Sequence, residues 1–199
     1  MRVGNVALVL IGLSVWTTAS VFPVSAQNAD KTGAVESKRV EVERLTVKSS
    51  RPFQVVVDAL EGAVGHPNMA EFSKTIKDAK SYSEIERLVG RSVSSRGLMQ
   101  FARFDDGEVL RKESGLDKPK IVRFLIGNPL IMKEMAKHVP EAGAYAPVTI
   151  LVDERSDGVH LTYDKMASLL APYGNSSALA VARDLDKKIE DLLRTAAGL

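Results

Sequence analysis

Three groups of residues in this sequence have types and spacings that could do chemistry. Gly127, Asn128 and Pro129 stand where an apolar run stops and a helical pattern starts. Backbone N–H groups left unpaired at such a helix start favour an anion, carboxylate or phosphate. Pro129 removes one of those donors, and a strand-to-helix turn asks for the same residue types on geometric grounds: freedom at Gly, self-bonding at Asn, a fixed φ at Pro. These three are the ligand-binding candidates.

Met132, Met135 and His138 recur at steps of three along the helix that follows. Two thioethers and an imidazole could hold Cu(I) or ligate haem. The plainer account has the methionines filling an apolar stripe and His138 near the helix C-terminus, where a cation is favoured. No metal and no cofactor is assigned on this basis.

Asp153 and His160 face one another if Val148–Asp153 and Val159–Tyr163 form a hairpin, and together they make two thirds of a hydrolytic relay, as in a hydrolase or lyase. The third member is missing: there is no Cys, no Gly-x-Ser-x-Gly elbow and no Ser-x-x-Lys. A solvent-facing cross-strand ion pair is the plainer account, and no catalytic residue is assigned. His66, before Pro67, reads as a loop residue, and HExxH, P-loop and Gly-x-Gly-x-x-Gly patterns are absent.

The elements that must position these groups are legible in the hydrophobic pattern. Ile121 to Ile126 is apolar except for Arg123, a strand covered on one face and largely covered on the other. Ile131, Met132, Met135, Ala136 and Val139 make one helical stripe, ended by Pro140 and Gly143. In the hairpin, a loop over Arg155 to Gly158 sets Val152 against Leu161 and Ile150 against Tyr163, and a one-residue slip would put Asp153 against Leu161, so the pattern selects the register.

Upstream, Arg39 to Lys48 alternates as a strand whose phase changes, which predicts a bulge near Glu43 and Arg44. A helix follows with Ser50 as N-cap, Pro52 in its first turn and Phe53, Val56, Val57, Leu60 and Val64 on one face. The stretch 66–97 reads as a helical insertion at the domain edge, with capping boxes at Asn68/Glu71 and Ser83/Glu86. Leu98 to Phe104 is a strand, and Glu108 to Lys120 a polar loop. A short helix over Lys165 to Leu170 and a long one capped by Asn175, with Ala178, Ala182, Leu185, Ile189 and Leu192 in its stripe, complete the chain. The Asn175-Ser176-Ser177 glycosylation match thus reads as a helix cap.

Residues 1–26 stand apart. Arg2, the apolar run Val6 to Val15 and Val24-Ser25-Ala26 describe a secretory signal peptide cleaved after Ala26, which predicts a periplasmic or secreted protein. The apolar part falls short of the ~20 residues of a spanning helix, so no stable membrane insertion is expected after cleavage. Residues 27–37 read as a disordered leader, and 38–199 as a single α+β domain. With 199 residues, no Cys and a formal net charge of +2, burial rather than disulfides must hold that domain. The near-neutral charge argues against nucleic acid.

The predicted fold is α+β: a five-stranded antiparallel sheet with helices on one face, plus the helical insertion. The pieces FLIGNP, APVTILVDE, DGVHLTYD and the C-terminal helix resemble a bacterial family known only as domain of unknown function 302, over about residues 38 to 199. The resemblance implies a β-α-β4-α core of the TATA-binding-protein-like type in single-domain proteins that often pair, with no assigned catalytic residues. The stretch 66–97 departs from it. The expected function is a non-catalytic exported module that binds an unknown small molecule or forms a homodimer through its sheet.

Overall fold

The computed structural model describes residues 35–199; the expected signal peptide at 1–26 and most of the leader at 27–37 lie outside the described residues. Residues Lys38–Leu199 form one compact unit. Its order is β1 (Arg44–Ser49), α1 (Phe53–Gly62), α2 (Met69–Asp78), α3 (Tyr82–Ser92), β2 (Met99–Phe104), α4 (Gly107–Ser114), β3 (Ile121–Gly127), α5 (Pro129–Ala136), α6 (Ala142–Tyr145), β4 (Val148–Arg155), β5 (Gly158–Asp164), α7 (Met166–Leu170), a 3₁₀ turn at Ala171–Tyr173 and α8 (Ser176–Ala197).

The sheet runs β1-β5-β4-β3-β2, antiparallel throughout. The chain crosses from one edge to the other through α1, α2 and α3, then returns as a four-stranded meander until β5 pairs with β1. This is the expected β-α-β4-α core with its insertion. Val56, Ile150, Leu161 and Ile189 have no exposed surface and share one apolar core between the sheet and helices α1, α5 and α8. The hairpin register is the expected one, with Ile150 opposite Tyr163, Val152 opposite Leu161 and Asp153 opposite His160.

The insertion has its own small core. Phe72 and Val89 are buried with Met99 of the edge strand β2, and Gly65, just before the insertion, bridges to the same strand. Asn68 caps α2 through its side chain, as expected. The second capping box lies two residues earlier than the spacing predicts: Ser81 accepts from Glu84 N, and Glu84 accepts from Lys80 N.

Four further expectations are corrected. The first strand starts at Arg44, without a bulge, because its partner β5 ends opposite, at Asp164; Val40 and Val42 have no strand to pair with. Pro52, not Ser50, occupies the N-cap of α1 and makes no side-chain cap; Ser49 instead accepts from Arg51 N and donates to the Ala197 carbonyl. Within the polar loop, residues Gly107–Ser114 form α4, closed by Gly115 at φ 69°, and the bulge of the sheet lies in β2, between Gln100 and Ala102. Likewise α5 ends at Ala136, a turn before Val139, and α6 follows it.

Candidate functional site

The helices cover one face of the sheet. Residues on the opposite face line up in rows, and the middle row crosses all five strands: Thr46, Thr162, Leu151, Arg123 and Phe104. A neighbouring row carries Arg44 paired with Asp164 at one side and Thr149 paired with Leu125 at the other. Among the described residues no element lies over the centre of this surface. The segment Ala144 to Pro147 and Leu169 of α7 rise at one end, and the result is a concavity of about 390 Å³, within the size range of small-molecule sites.

Its polar groups are held by their neighbours. Arg44 donates from Nε and Nη2 to the two oxygens of Asp164, at 2.6 and 2.8 Å, and holds that carboxyl below the usual carboxylate range. Arg123 donates from Nε to Asp106 at 3.0 Å, and its guanidinium lies 4.6 Å over the Phe104 ring. Both side chains are therefore fixed at the margins, with Leu151 half-buried between them. At the rim the hydroxyls of Tyr145 and Tyr173 are 3.3 Å apart, a contact that pushes the Tyr173 hydroxyl up to about 12.

The residues singled out by sequence lie elsewhere. Gly127 has no positive φ, and a Cβ there would meet Pro147 at 3.4 Å and Phe101 at 3.7 Å, ordinary contact distances, so neither the backbone nor the packing demands glycine. Asn128 spends its side chain internally: Oδ1 accepts from Leu130 N at 2.8 Å, and Nδ2 donates to the Gly97 carbonyl at 2.9 Å. The amide both caps α5 and ties it to the end of the insertion. Asn128 and Pro129 line a small apolar pocket of about 170 Å³ with Phe101, Met132 and Pro147, and Pro147 separates this pocket from the larger concavity.

Met132, Met135 and His138 are divided between environments. Met132 faces that small pocket, Met135 has no exposed surface inside the main core, and His138 is exposed. Among the described residues no group of three His, Cys, Asp or Glu is placed to hold a metal ion.

Asp153 and His160 are neighbours by register but do not pair. Arg155, two residues along the same strand and so on the same face, donates from Nε and Nη2 to Asp153 at 2.5 and 3.2 Å. His160 Nε2 lies 3.0 Å from Asp157 Oδ1 in the hairpin turn. Asp157 also binds Lys48, at 3.0 Å, and these two partners hold its carboxyl at about 2. The expected Asp153–His160 ion pair is thus replaced by two others, and their row lies beside the concavity without lining it.

Arg123, Leu151, Thr162 and the Arg44–Asp164 pair escape a motif-based reading. The signal available was Leu151 and Leu125, apolar residues on the parity that the alternation otherwise gives to polar side chains. His66 is tied down as well, Nε2 lying 2.8 Å from the Glu61 carbonyl. Among the described residues no helix is long and apolar enough to cross a membrane.

No curated protein matches the chain. A crystal structure of an uncharacterized conserved protein from Bacillus stearothermophilus, of the DUF302 type, is similar in fold, with a TM-score of 0.54 and 17% identity over 77% of this chain and 97% of that one. The family model "Domain of unknown function DUF302" matches residues 72–196. That span begins inside α2 and takes in the remaining four strands and the C-terminal helix. The chain belongs to the domain of unknown function DUF302 family.

Proposed function

We propose that the protein is a non-catalytic module of the exported type that binds a small ligand on the uncovered face of its sheet. The observation that carries the reading is the concavity over Leu151, with guanidinium groups fixed at its margin and apolar side chains at its floor. Pockets of this kind, mostly apolar with a few oriented polar groups, are the usual form of small-molecule sites. Export rests on the signal-peptide pattern of residues 1–26. Catalysis finds less support, since Asp153 and His160 are each engaged by another partner.

Thermal unfolding across a library of small metabolites tests the reading. A ligand at a hundredfold excess over its Kd adds about 2.7 kcal/mol, which for a domain of this size raises Tm by about 5 to 10 °C. Leu151→Glu abolishes the shift if the concavity is the site. No shift with any compound, or a shift that Leu151→Glu leaves intact, overturns the reading.

Phe104, Val109, Leu110 and Leu116, in and after β2 and α4, are exposed apolar residues. Apolar exposure of this sort supports a second reading, in which two copies pair through their sheets. Light scattering over a concentration series tests it: a dimer that Phe104→Glu dissociates supports pairing, and a monomer throughout removes it.

A further inference from the structure

The geometry points to a small organic acid with a short apolar body as the ligand of the open-face concavity, an inference that rests on that face being a ligand site. It follows from what the fixed side chains leave unused. Arg123 engages Asp106 through Nε alone, and among the described residues no hydrogen bond reaches its two terminal nitrogens. Arg44 uses Nε and Nη2 on Asp164, which leaves Nη1, while both Asp164 oxygens already accept. Thr149 and Thr162 add hydroxyls on the floor.

The lining carries two guanidinium groups against one carboxylate, and Asp106, just outside it, pairs with Arg123, so the charges balance and what the site offers is a surplus of N–H donors over acceptors. A planar fork of two N–H groups matches a carboxylate in bidentate fashion. A dianion such as a phosphate monoester would bring its second charge close to Asp106 and Asp164, which stand beside the two arginines. Leu151, Val148, Pro147 and Leu169 then offer an apolar bed for the remainder of the ligand. The Phe104 ring and Asp106 hold Arg123 in place before the ligand arrives, so little side-chain freedom is lost on binding.

Calorimetric titration of the full chain with hexanoate and with its neutral isostere hexanamide tests the inference. Hexanoate is expected to bind at least tenfold more tightly, and Arg123→Gln to weaken it about ten- to a hundredfold while leaving hexanamide unchanged. Arg123→Lys, which keeps the charge and the packing but not the fork, is expected to weaken hexanoate by an intermediate factor. If hexanamide binds as tightly as hexanoate and Leu151→Glu abolishes both, the concavity stands as a ligand site and the organic-acid assignment falls. If neither compound binds, the assignment falls; if hexanoate binds and neither Arg123→Gln nor Leu151→Glu alters it, the site itself falls too.

Discussion

The Tyr163 hydroxyl donates to Asp186 Oδ1 over 2.6 Å, deep in the core. The same carboxylate accepts the Met166 N–H at 2.8 Å and the Ala167 N–H at 3.1 Å. A helix start leaves N–H groups without partners, and α7 has no side-chain cap from its own N-cap residue, Lys165. Asp186 supplies that cap from α8, and so fixes α7, whose Leu169 borders the concavity, to the long helix behind the sheet.

Removal of this cap is expected to be costly. Asp186→Ala leaves the Ala167 N–H and the Tyr163 hydroxyl without their acceptor and the Met166 N–H with only its 3.2 Å bond to the Tyr163 hydroxyl, and each full loss costs about 1 to 3 kcal/mol. Urea unfolding is expected to show a loss of about 3 kcal/mol or more, with a smaller loss for Asp186→Asn. A change below about 0.5 kcal/mol, the size of an ordinary surface substitution, would remove the cap from the account.

Alkaline stability is set in part by Tyr163. Burial first, then the Asp186 charge, push its hydroxyl well above its ordinary value of 10.0. A raised folded value means that the stabilisation is complete below about pH 10 and is lost as pH rises through the unfolded value toward the folded one. Tyr163→Phe is expected to flatten the fall in Tm above that pH; equal slopes for the two proteins would contradict it.

Acid stability draws on the hairpin turn. Lys48 and then His160 lower Asp157 from 3.8 to about 2, so its contribution is present above about pH 4 and is lost as pH falls toward 2. Asp157→Asn is expected to be less stable at neutral pH and to show a shallower acid transition between those limits. Chemical unfolding at a series of pH values checks the slope.

Glycines at close approaches behave differently from glycines with room for a side chain. A Cβ on Gly65 would stand 2.0 Å from the Ser92 carbonyl oxygen, at the place where Gly65 bonds Leu98 and Gln100 and docks the insertion on β2. Gly65→Ala is expected to destabilise by about 2 kcal/mol or more, in the range of overpacking, and to expose the amides of α2 and α3 to hydrogen exchange. Gly127→Ala, whose nearest contact is 3.4 Å, is expected to stay within about 1 kcal/mol of the parent. The reverse order would contradict the packing account.

Alternation and helical periodicity made the sheet register and the core stripes legible, because one shifted residue in β4 or β5 would bury Asp153 among apolar side chains. Caps at Asn68, Asn128 and Asn175 were legible for a similar reason: each stands just before an apolar helical repeat. What escaped depends on partners distant in sequence. Val40 and Val42 alternate like a strand, yet β5 ends before it can pair with them. Ser81/Glu84 and Ser83/Glu86 match the same spacing, and only the folded start of α3 chooses between them. Helix α4 leaves Val109 and Leu110 exposed, so no apolar stripe announces it. Asp186 occupies the buried stripe of α8 because α7 presents it with free N–H groups. The candidate site was hidden in the same way, since a row such as Thr162, Leu151 and Arg123 exists only after three strands align.

Amide chemical-shift mapping with the compound that gives the largest thermal shift tests the central claim most directly. The open-face site predicts that the perturbed amides gather at Arg123, Thr149, Leu151, Thr162 and Asp164. Perturbations centred on Asn128 and Met132, or on Asp153 and His160, would contradict it.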